Sequence, residues 1–418
     1  MRMAPSPDHP STVRVGLLGC GTVGAALVVL VDEQRDIVRR RTGLDLEVAA
    51  VVVRDPSRDR GVPVDAEAFT TDAEAVVGDP SIDVVVEVMG GIDPARDLVV
   101  AALKAGKPVV TANKELLAAH GAELYAVAEA AGVDLLFEAA VAGAIPIMRP
   151  LRESFAGEPL TRVLGIVNGT TNYILTKMSQ EGSSYADALA EAQALGYAEA
   201  DPTADVEGHD AGAKVAIIAT LAFGAEVVAA DVHLEGISGV TAGDIEAAAH
   251  LGHCIKLLGV AERHRGPDGD EIGVRVHPTL VPNDHPLAAV NDSFNAVFVE
   301  GDAVGEVMLY GRGAGGRPTA SAVFGDLAAI RPIADLETAY YLALEVDDRP
   351  GVLAAVAAVF GEHGVSIRSM EQEGLGSEAR ITFITHRARE RDLRATLDDL
   401  RGLDAVRNVG SVLRALGD

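Results

Sequence analysis

Positive charge is scarce in this chain of 418 residues: 35 Lys and Arg stand against 62 Asp and Glu, a formal net charge of −27. Such a surface repels phosphate backbones and anionic bilayers, which excludes nucleic acid and membrane as partners. Cysteine is almost missing. Cys20 and Cys254 lie far apart and form no CxxC pair, which excludes a disulfide framework and leaves two small buried residues, Cys20 lining a loop. No apolar run reaches membrane-spanning length. Residues 1–12, rich in Pro and Ser, lack the apolar core of a signal peptide. Apart from that loose tail there is no low-complexity stretch, and there is no internal repeat. A cytoplasmic protein is the expectation.

What is present begins at residues 13–24, VRVGLLGCGTVG. An apolar run over 13–18 meets Gly19-x-Gly21-x-x-Gly24, and a helix-compatible run follows over 25–41. This is how a dinucleotide-binding βαβ unit opens. Gly19 permits the tight turn, Gly21 lets the backbone approach a pyrophosphate, and Gly24 lets the helix pack close to the sheet. Thr22 and Val23 complete the loop, where the helix N-terminus offers free N–H groups and a partial positive charge to phosphates.

With 48% apolar residues, the chain can build two or three ordinary cores. Residues 13–145 alternate strand-like and helix-like segments. Strands are predicted at 46–53, 83–89, 108–111 and 134–139, and helices at 94–105 and 114–131. That is an α/β domain with a Rossmann-type, doubly wound parallel sheet. Residues 146–312 read as an α+β catalytic and dimerisation domain, with helices at 185–195 and 208–223 and strands at 162–167, 271–280 and 296–301. A glycine cluster at 311–316 leads into a helix at 319–329, so 313–335 forms a return segment and linker. Residues 336–418 follow the order βαββαβ, a ferredoxin-like unit.

The second strand ends VVVRDP, so the first residue past it is Arg54, with Asp55 next. A guanidinium suits a 2′-phosphate. NADP is therefore the favoured cofactor, with NAD as the alternative because Asp55 is adjacent. Lys114 begins a helix at the end of an apolar strand, where cofactor and substrate should meet. In the segment 196–214, Asp210 and Lys214 stand i and i+4 on one helix face. The apolar run after Lys214 buries that helix, and a buried lysine costs free energy unless paired and can shift toward neutrality, which would make it a proton donor and acceptor. Glu199 and Asp205 precede the helix and can join the same pocket. The run Asn168-Gly-Thr-Thr-Asn172 suits a polar, amino-acid-like ligand, or simply caps a helix.

Taken together, GLLGCGTVG, TANKELLA, FEAAVAGAIPI, GIVNGTTNYIL, LGYAEADPTADVEGHDAGAK and YGRGAGGRPTASAV resemble homoserine dehydrogenases, in family order over residues 13–325. The resemblance implies reduction of aspartate 4-semialdehyde to L-homoserine, on the route to threonine and methionine. It implies Lys214 as the acid/base group, Lys114 as its partner at the carbonyl, and Asp210 positioning the substrate hydroxyl or Lys214. Glu199 would bind the substrate's amino group, with Asp205 a second candidate. Gly19, Gly21, Thr22, Val23, Gly24, Arg54, Lys114, Gly313 and Gly315 match cofactor contacts. A monovalent cation, often sodium, would sit on Glu138, Val141, Gly143 and Ile145, mostly through backbone carbonyls. The segment LEVDDRPGVLAAVAAVFGEHGVSIRSMEQ resembles an ACT domain. That implies amino-acid binding at the 348–353 turn (Asp348, Gly351, Val352, Leu353) with threonine as feedback inhibitor, or oligomerisation alone. A homodimer through the middle domain or a homotetramer through ACT pairing is expected. No kinase-like segment precedes the cofactor domain, so the fused aspartokinase form is not expected.

Two other functions compete. One is a dehydrogenase for another amino-acid-like aldehyde, which a substrate panel separates. The other is a catalytically dead ACT sensor, which would bind threonine without turnover.

Overall fold

A computed structural model describes residues 11–267, 269–330, 337–374 and 379–415. Residues 1–10 of the expected tail and 331–336 around the expected linker lie outside the described residues. The chain divides into two units, residues 1–330 and 331–418.

The first unit opens with β1 (Ser11–Leu18), which starts before the sequence-based boundary at Val13. Its apolar residues Val13, Val15, Leu17 and Leu18 are all buried, as a strand covered on both faces requires. Next come α1 (Thr22–Glu33), α2 (Arg35–Thr42) and β2 (Leu44–Val52). The sequence predicts one helix over 25–41, but the structure has two, parted at Gln34. The break turns α2 so that Arg35 and Arg39 both reach the buried carboxylate of Asp45. Then follow β3 (Phe69–Thr70), α3 (Ala73–Gly78), β4 (Val84–Glu87), α4 (Ala95–Lys104), β5 (Val109–Thr111), α5 (Lys114–Ala131) and β6 (Leu135–Leu136).

These strands form one sheet in the order β3-β2-β1-β4-β5-β6, with every pairing parallel. The order reverses between β1 and β4, and ligands of such sheets bind beyond the strand ends at that point. The α5 helix matches its predicted span because both ends are specified. Asn113 accepts a hydrogen bond from Leu116 N at 3.1 Å, and Gly132 closes the helix in the left-handed region.

The chain continues with β7 (Leu160–Ile166), α6 (Gly169–Glu181), α7 (Tyr185–Ala194), α8 (Thr203–Val206), α9 (His209–Phe223), β8 (His233–Leu234) and α10 (Ala242–His250). After these come β9 (His253–Gly266), β10 (Gly269–Pro282), β11 (Phe294–Gly301), β12 (Gly305–Arg312) and α11 (Gly316–Ala329). A mixed sheet runs β12-β11-β7-β9-β10-β8. The sequence reading has β10 and β11 but lacks their hairpin partners β9 and β12. One core joins α9 residues Val215, Ala216 and Ile218 to Leu116 and Leu124 of α5, so the two sheets' helices share a packed boundary. The chain returns through α11, whose Val323, Phe324 and Leu327 pack in the core with Leu27 of α1. Arg317 of α11 pairs with Glu33 of α1 at 2.9 Å.

The second unit contains β13 (Glu337–Val346), α12 (Val352–Glu362), β14 (Ile367–Glu373), β15 (Arg380–Thr385), the short β16 (Ala388–Arg389), α13 (Glu390–Arg401) and β17 (Val406–Ala415). Its main strands lie antiparallel as β14-β15-β13-β17, the ferredoxin-like order.

Candidate active site

The glycine turn sits at the switch point. Gly19 has φ +101, and a Cβ there would lie 2.9 Å from Val88 O at the end of β4. At Gly24 a Cβ would overlap the Gly19 carbonyl oxygen, whereas at Gly21 it would meet nothing within 4 Å. Two of the glycines are thus required by packing and the third leaves open space beside the first turn of α1. No side chain caps α1, and no acidic residue lies in its first turn. The amides of Thr22, Val23 and Gly24 are therefore available to an anion, which fits a dinucleotide pyrophosphate. Beneath this cleft a buried chain of polar groups supports β4 and β5. Glu87 accepts from Thr111 Oγ1 at 2.7 Å and from Met89 N at 2.8 Å.

Arg54 follows β2 and is exposed, with no hydrogen bond among the described residues. Its neighbour Asp55 is occupied locally, accepting from Ser57 N at 3.0 Å and Ser57 Oγ at 2.6 Å. Cys20 is buried with a free thiol, and burial pushes that thiol up, against the nearby Arg60.

The structure gathers four sequence-predicted residues into one cluster. Lys114 opens α5, and Asp210 and Lys214 lie on the first turns of α9. Lys114 Nζ donates to Asp210 Oδ1. Lys214 Nζ donates to Asp210 Oδ2 and to Val167 O, both at 2.7 Å. Asp205, on α8, joins through Asn168, whose Nδ2 donates to Asp205 Oδ1 at 2.7 Å and to Asp210 Oδ2 at 2.9 Å. Burial opposes charge on Asp210, but Lys214 and Lys114 outweigh it and hold the carboxyl far below its usual range. Burial likewise opposes charge on Lys114, and Asp210 outweighs it and raises the ammonium's affinity for its proton. Asp205 moves the other way: burial raises it, with Asn168 and the two lysines opposing and Asp210 adding.

An ammonium has three N–H donors. Lys214 spends two on protein acceptors and Lys114 one. Both keep a donor for a substrate oxygen between them. The side chain of Lys214 is 12% exposed and that of Lys114 38%, so the pocket opens on the Lys114 side. The sequence treats Lys214 as a buried lysine in need of a partner, and the structure supplies two.

Glu199 is not brought into the cluster. It is exposed, and only its backbone carbonyl is engaged, by Gln193 Nε2 at 3.0 Å. Sequence reasoning missed Asn168 as a bridge between carboxylates. Its place next to a strand end was legible, but the inward direction of its amide was not.

The segment after β6 departs from the strand predicted over 134–139. Glu138 starts a short turn, and its carboxylate accepts from Met148 N at 2.7 Å and Arg149 N at 3.0 Å. Glu138 N donates to Asp326 Oδ2 at 2.8 Å. Asp326 is buried on α11, and that burial pushes its carboxyl up to about 6. Ala142 and Gly143 both have positive φ, and a Cβ on Gly143 would overlap Gly313. The Gly313–Gly315 loop thus lies directly on the 141–145 turn, and Gly316 lies against Thr22 of the cofactor turn. The carbonyls of Val141, Gly143 and Ile145 accept no hydrogen bond among the described residues. Among those residues no cluster of three or more His, Cys, Asp and Glu could hold a metal ion.

In the second unit, Gly351 caps α12 with φ +93. Val352 packs in the core and Leu353 is exposed, while Asp348 sits in the preceding turn. Among the described residues no helix is long and apolar enough to cross a membrane.

Comparison with known proteins agrees with this architecture. The family model described as homoserine dehydrogenase matches residues 146–328, that of its NAD binding domain residues 19–138, and that of the ACT domain residues 340–405. The chain is 51% identical to a homoserine dehydrogenase of Corynebacterium glutamicum, over 98% of this chain and 97% of that one. Among solved structures it is similar to the homoserine dehydrogenase of Thiobacillus denitrificans, with a TM-score of 0.72 and 41% identity over 97% of each chain. It is also similar to a hyperthermophilic archaeal homoserine dehydrogenase in complex with NADPH, with a TM-score of 0.64 and 30% identity over 76% of this chain and 96% of that one.

Proposed function

The chain belongs to the homoserine dehydrogenase family, and we propose that it interconverts L-aspartate 4-semialdehyde and L-homoserine in the cleft between α5 and α9. It is an oxidoreductase with a nicotinamide-binding domain and a C-terminal ACT domain. The observation that carries the residue assignment is the single carboxylate, Asp210, that holds ammonium groups from two different helices on its two oxygens.

The bound nicotinamide supplies or accepts the hydride at the substrate's terminal carbon. Lys214 gives its proton to the oxygen as the alkoxide develops, and Lys114 stabilises that negative charge. Asp210 holds both ammoniums on its two oxygens and aims them at one point. Within the cluster Asp205 takes the substrate's α-ammonium group, and Glu199, exposed outside it, is the second carboxylate offered to that group. Gly19, Gly21, Thr22, Val23 and Gly24 would hold the cofactor's phosphates, and Gly313 and Gly315 would contribute to the same site. Arg54 favours NADP over NAD, because its guanidinium is exposed while the Asp55 carboxylate is already bound to Ser57.

A sodium ion would sit on Glu138, Val141, Gly143 and Ile145, mostly through backbone carbonyls. The unengaged carbonyls of that tight turn fit it, and there it would stiffen the contact with the Gly313–Gly315 loop. Threonine binding at Asp348, Gly351, Val352 and Leu353 would act as feedback. The natural assembly is a homodimer or homotetramer in the cytoplasm, and the domains are 13–145, 146–312 with its return segment 313–335, and 336–418.

The test is reduction of NADP by the purified protein with L-homoserine at alkaline pH, repeated with NAD and with added L-threonine. Homoserine-dependent turnover, faster with NADP and lowered by threonine, is the expected result. No turnover with either cofactor from folded protein would remove the dehydrogenase reading and favour an amino-acid sensor.

A further inference from the structure

Asn168 closes β7 and caps α6. Its Oδ1 accepts from Thr171 N at 2.8 Å and Thr171 Oγ1 at 3.0 Å, which is the cap. Its Nδ2 donates to Asp205 Oδ1 and Asp210 Oδ2. The amide's two donors and two acceptor sites are all spent, so its orientation is fixed. Only Asn168 hydrogen-bonds the Asp205 carboxylate among the described residues; both lysines donate to Asp210 instead.

We propose that Asn168 is a positioning residue for the reaction: its amide clamps Asp205 beside Asp210 as the carboxylate that receives the substrate's ammonium group. This rests on the substrate assignment above. Two carboxylates this close disfavour each other's ionisation, and an N–H donated to the ionised form is what restores it. The charged groups facing Asp205 are Asp210 and Lys214 from α9 and Lys114 from α5. On its own segment, Asp201 is tied to Thr203 and Glu207 to Ser238, and His209 is exposed. Burial raises the Asp205 carboxyl and Asp210 raises it further, so the Asn168 donor and the lysines are what oppose its protonation.

Capping and clamping use different atoms, which makes them separable. Asn168→Ser keeps a hydroxyl able to cap α6 but has no donor that spans two carboxylates. Asn168→Asp keeps the cap and adds a third carboxylate. Each full-length variant is followed by its thermal midpoint, by the pH dependence of kcat/KM for homoserine between pH 5 and 9, and by NMR titration of the Asp205 carboxyl carbon in the free protein. The expected result is an Asp205 midpoint moved to higher pH and an acid limb moved with it. The KM for homoserine should rise about ten-fold at low pH, more for Asn168→Asp, with little change at alkaline pH and none in the KM for NADP. Superimposable titrations and profiles in both variants would overturn the proposal, as would a loss of activity equal at every pH. An upward NMR shift in a protein that never oxidises homoserine would leave the clamp standing and overturn the substrate assignment instead.

Discussion

Replacing Asp210 by Asn exposes the logic of the lysine pair. The carboxylate is buried and accepts from Lys114 on Oδ1 and from Lys214 and Asn168 on Oδ2. An amide of the same shape has one oxygen and one NH2. Turned with its NH2 toward the old Oδ2 position, it would face two donors. The remaining oxygen therefore stays with Lys214 and Asn168, and Lys114 meets an NH2. Removing one partner of a buried ion pair costs about 3–5 kcal/mol. The Lys114 side chain is 38% exposed, and solvent screening brings the expected cost to the low end, about 3 kcal/mol. At the scale of a large domain that is a fall of roughly 5 °C or more in Tm near neutral pH.

The pH dependence is the sharper test. In the wild type, Asp210's depressed carboxyl contributes stability that is present above the ordinary Asp range and lost only as pH falls through and below it. Lys114's raised ammonium contributes stability that is full below the ordinary Lys value and lost as pH rises past it. Between pH 5 and 9 the pair is therefore nearly flat. In Asp210→Asn the largest opposing influence on Lys114, its burial, is left in charge, so the folded lysine sheds its proton more readily than the unfolded one. The folded state then binds fewer protons, and stability recovers as pH rises. Differential scanning calorimetry of both proteins at pH 6, 8 and 10 should show the Tm gap narrowing with pH. A gap that stays constant or widens refutes the assignment of Asp210 as the counter-charge. Activity should fall about a hundred-fold or more in kcat, since Lys114 loses its partner and Lys214 keeps only a neutral one.

Lys214→Ala should lower kcat by at least about a hundred-fold with the fold retained by circular dichroism, and an unchanged kcat would reject its role as proton donor. The glycine turn offers a paired contrast measured by thermal melts and cofactor titration. Gly21→Ala should keep Tm within about 1 °C and weaken NADP binding, because its Cβ enters open space. Gly24→Ala should destabilise the first unit before any cofactor is added, because its Cβ overlaps the Gly19 carbonyl oxygen. Arg54→Ser should lower kcat/KM for NADP about ten-fold and leave that for NAD almost unchanged; equal losses would show that the guanidinium does not read the 2′-phosphate.

What could be read from the chain alone follows from the range of the physics involved. The span of α5 was legible because Asn113 and Gly132 fix its ends locally, and β1 because a mostly apolar run ending at a glycine turn has few alternatives. The pairing of Asp210 with Lys214 was legible because i and i+4 on a helix must share a face. Where the deciding contact is distant in sequence, the reading stopped short. The break between α1 and α2 is set by Asp45, which lies on the next strand and pulls Arg35 and Arg39 toward it. The strand predicted over 134–139 ends early because Glu138 turns inward to cap the amides of Met148 and Arg149. β9 was missed because its second half, Glu262-Arg-His-Arg-Gly266, is charged and partly exposed and carries no alternating pattern, although its partner β10 runs beside it in continuous register.

The active site shows the same division at higher stakes. Lys114 and Asp210 are 96 positions apart, and nothing local to either one predicts that their side chains meet. What brings them together is the core in which Leu116 and Leu124 of α5 pack with Val215 and Ile218 of α9. These apolar residues touch no substrate, yet they set the separation of the two ammonium groups and hence where a carbonyl oxygen can sit between them. Shortening one of them, as in Ile218→Ala, should therefore cost about 2–5 kcal/mol of stability and also loosen the aim of Lys114 toward Lys214. If Lys114 and Lys214 act together as proposed, activity should depend on that helix packing as well as on the lysines themselves.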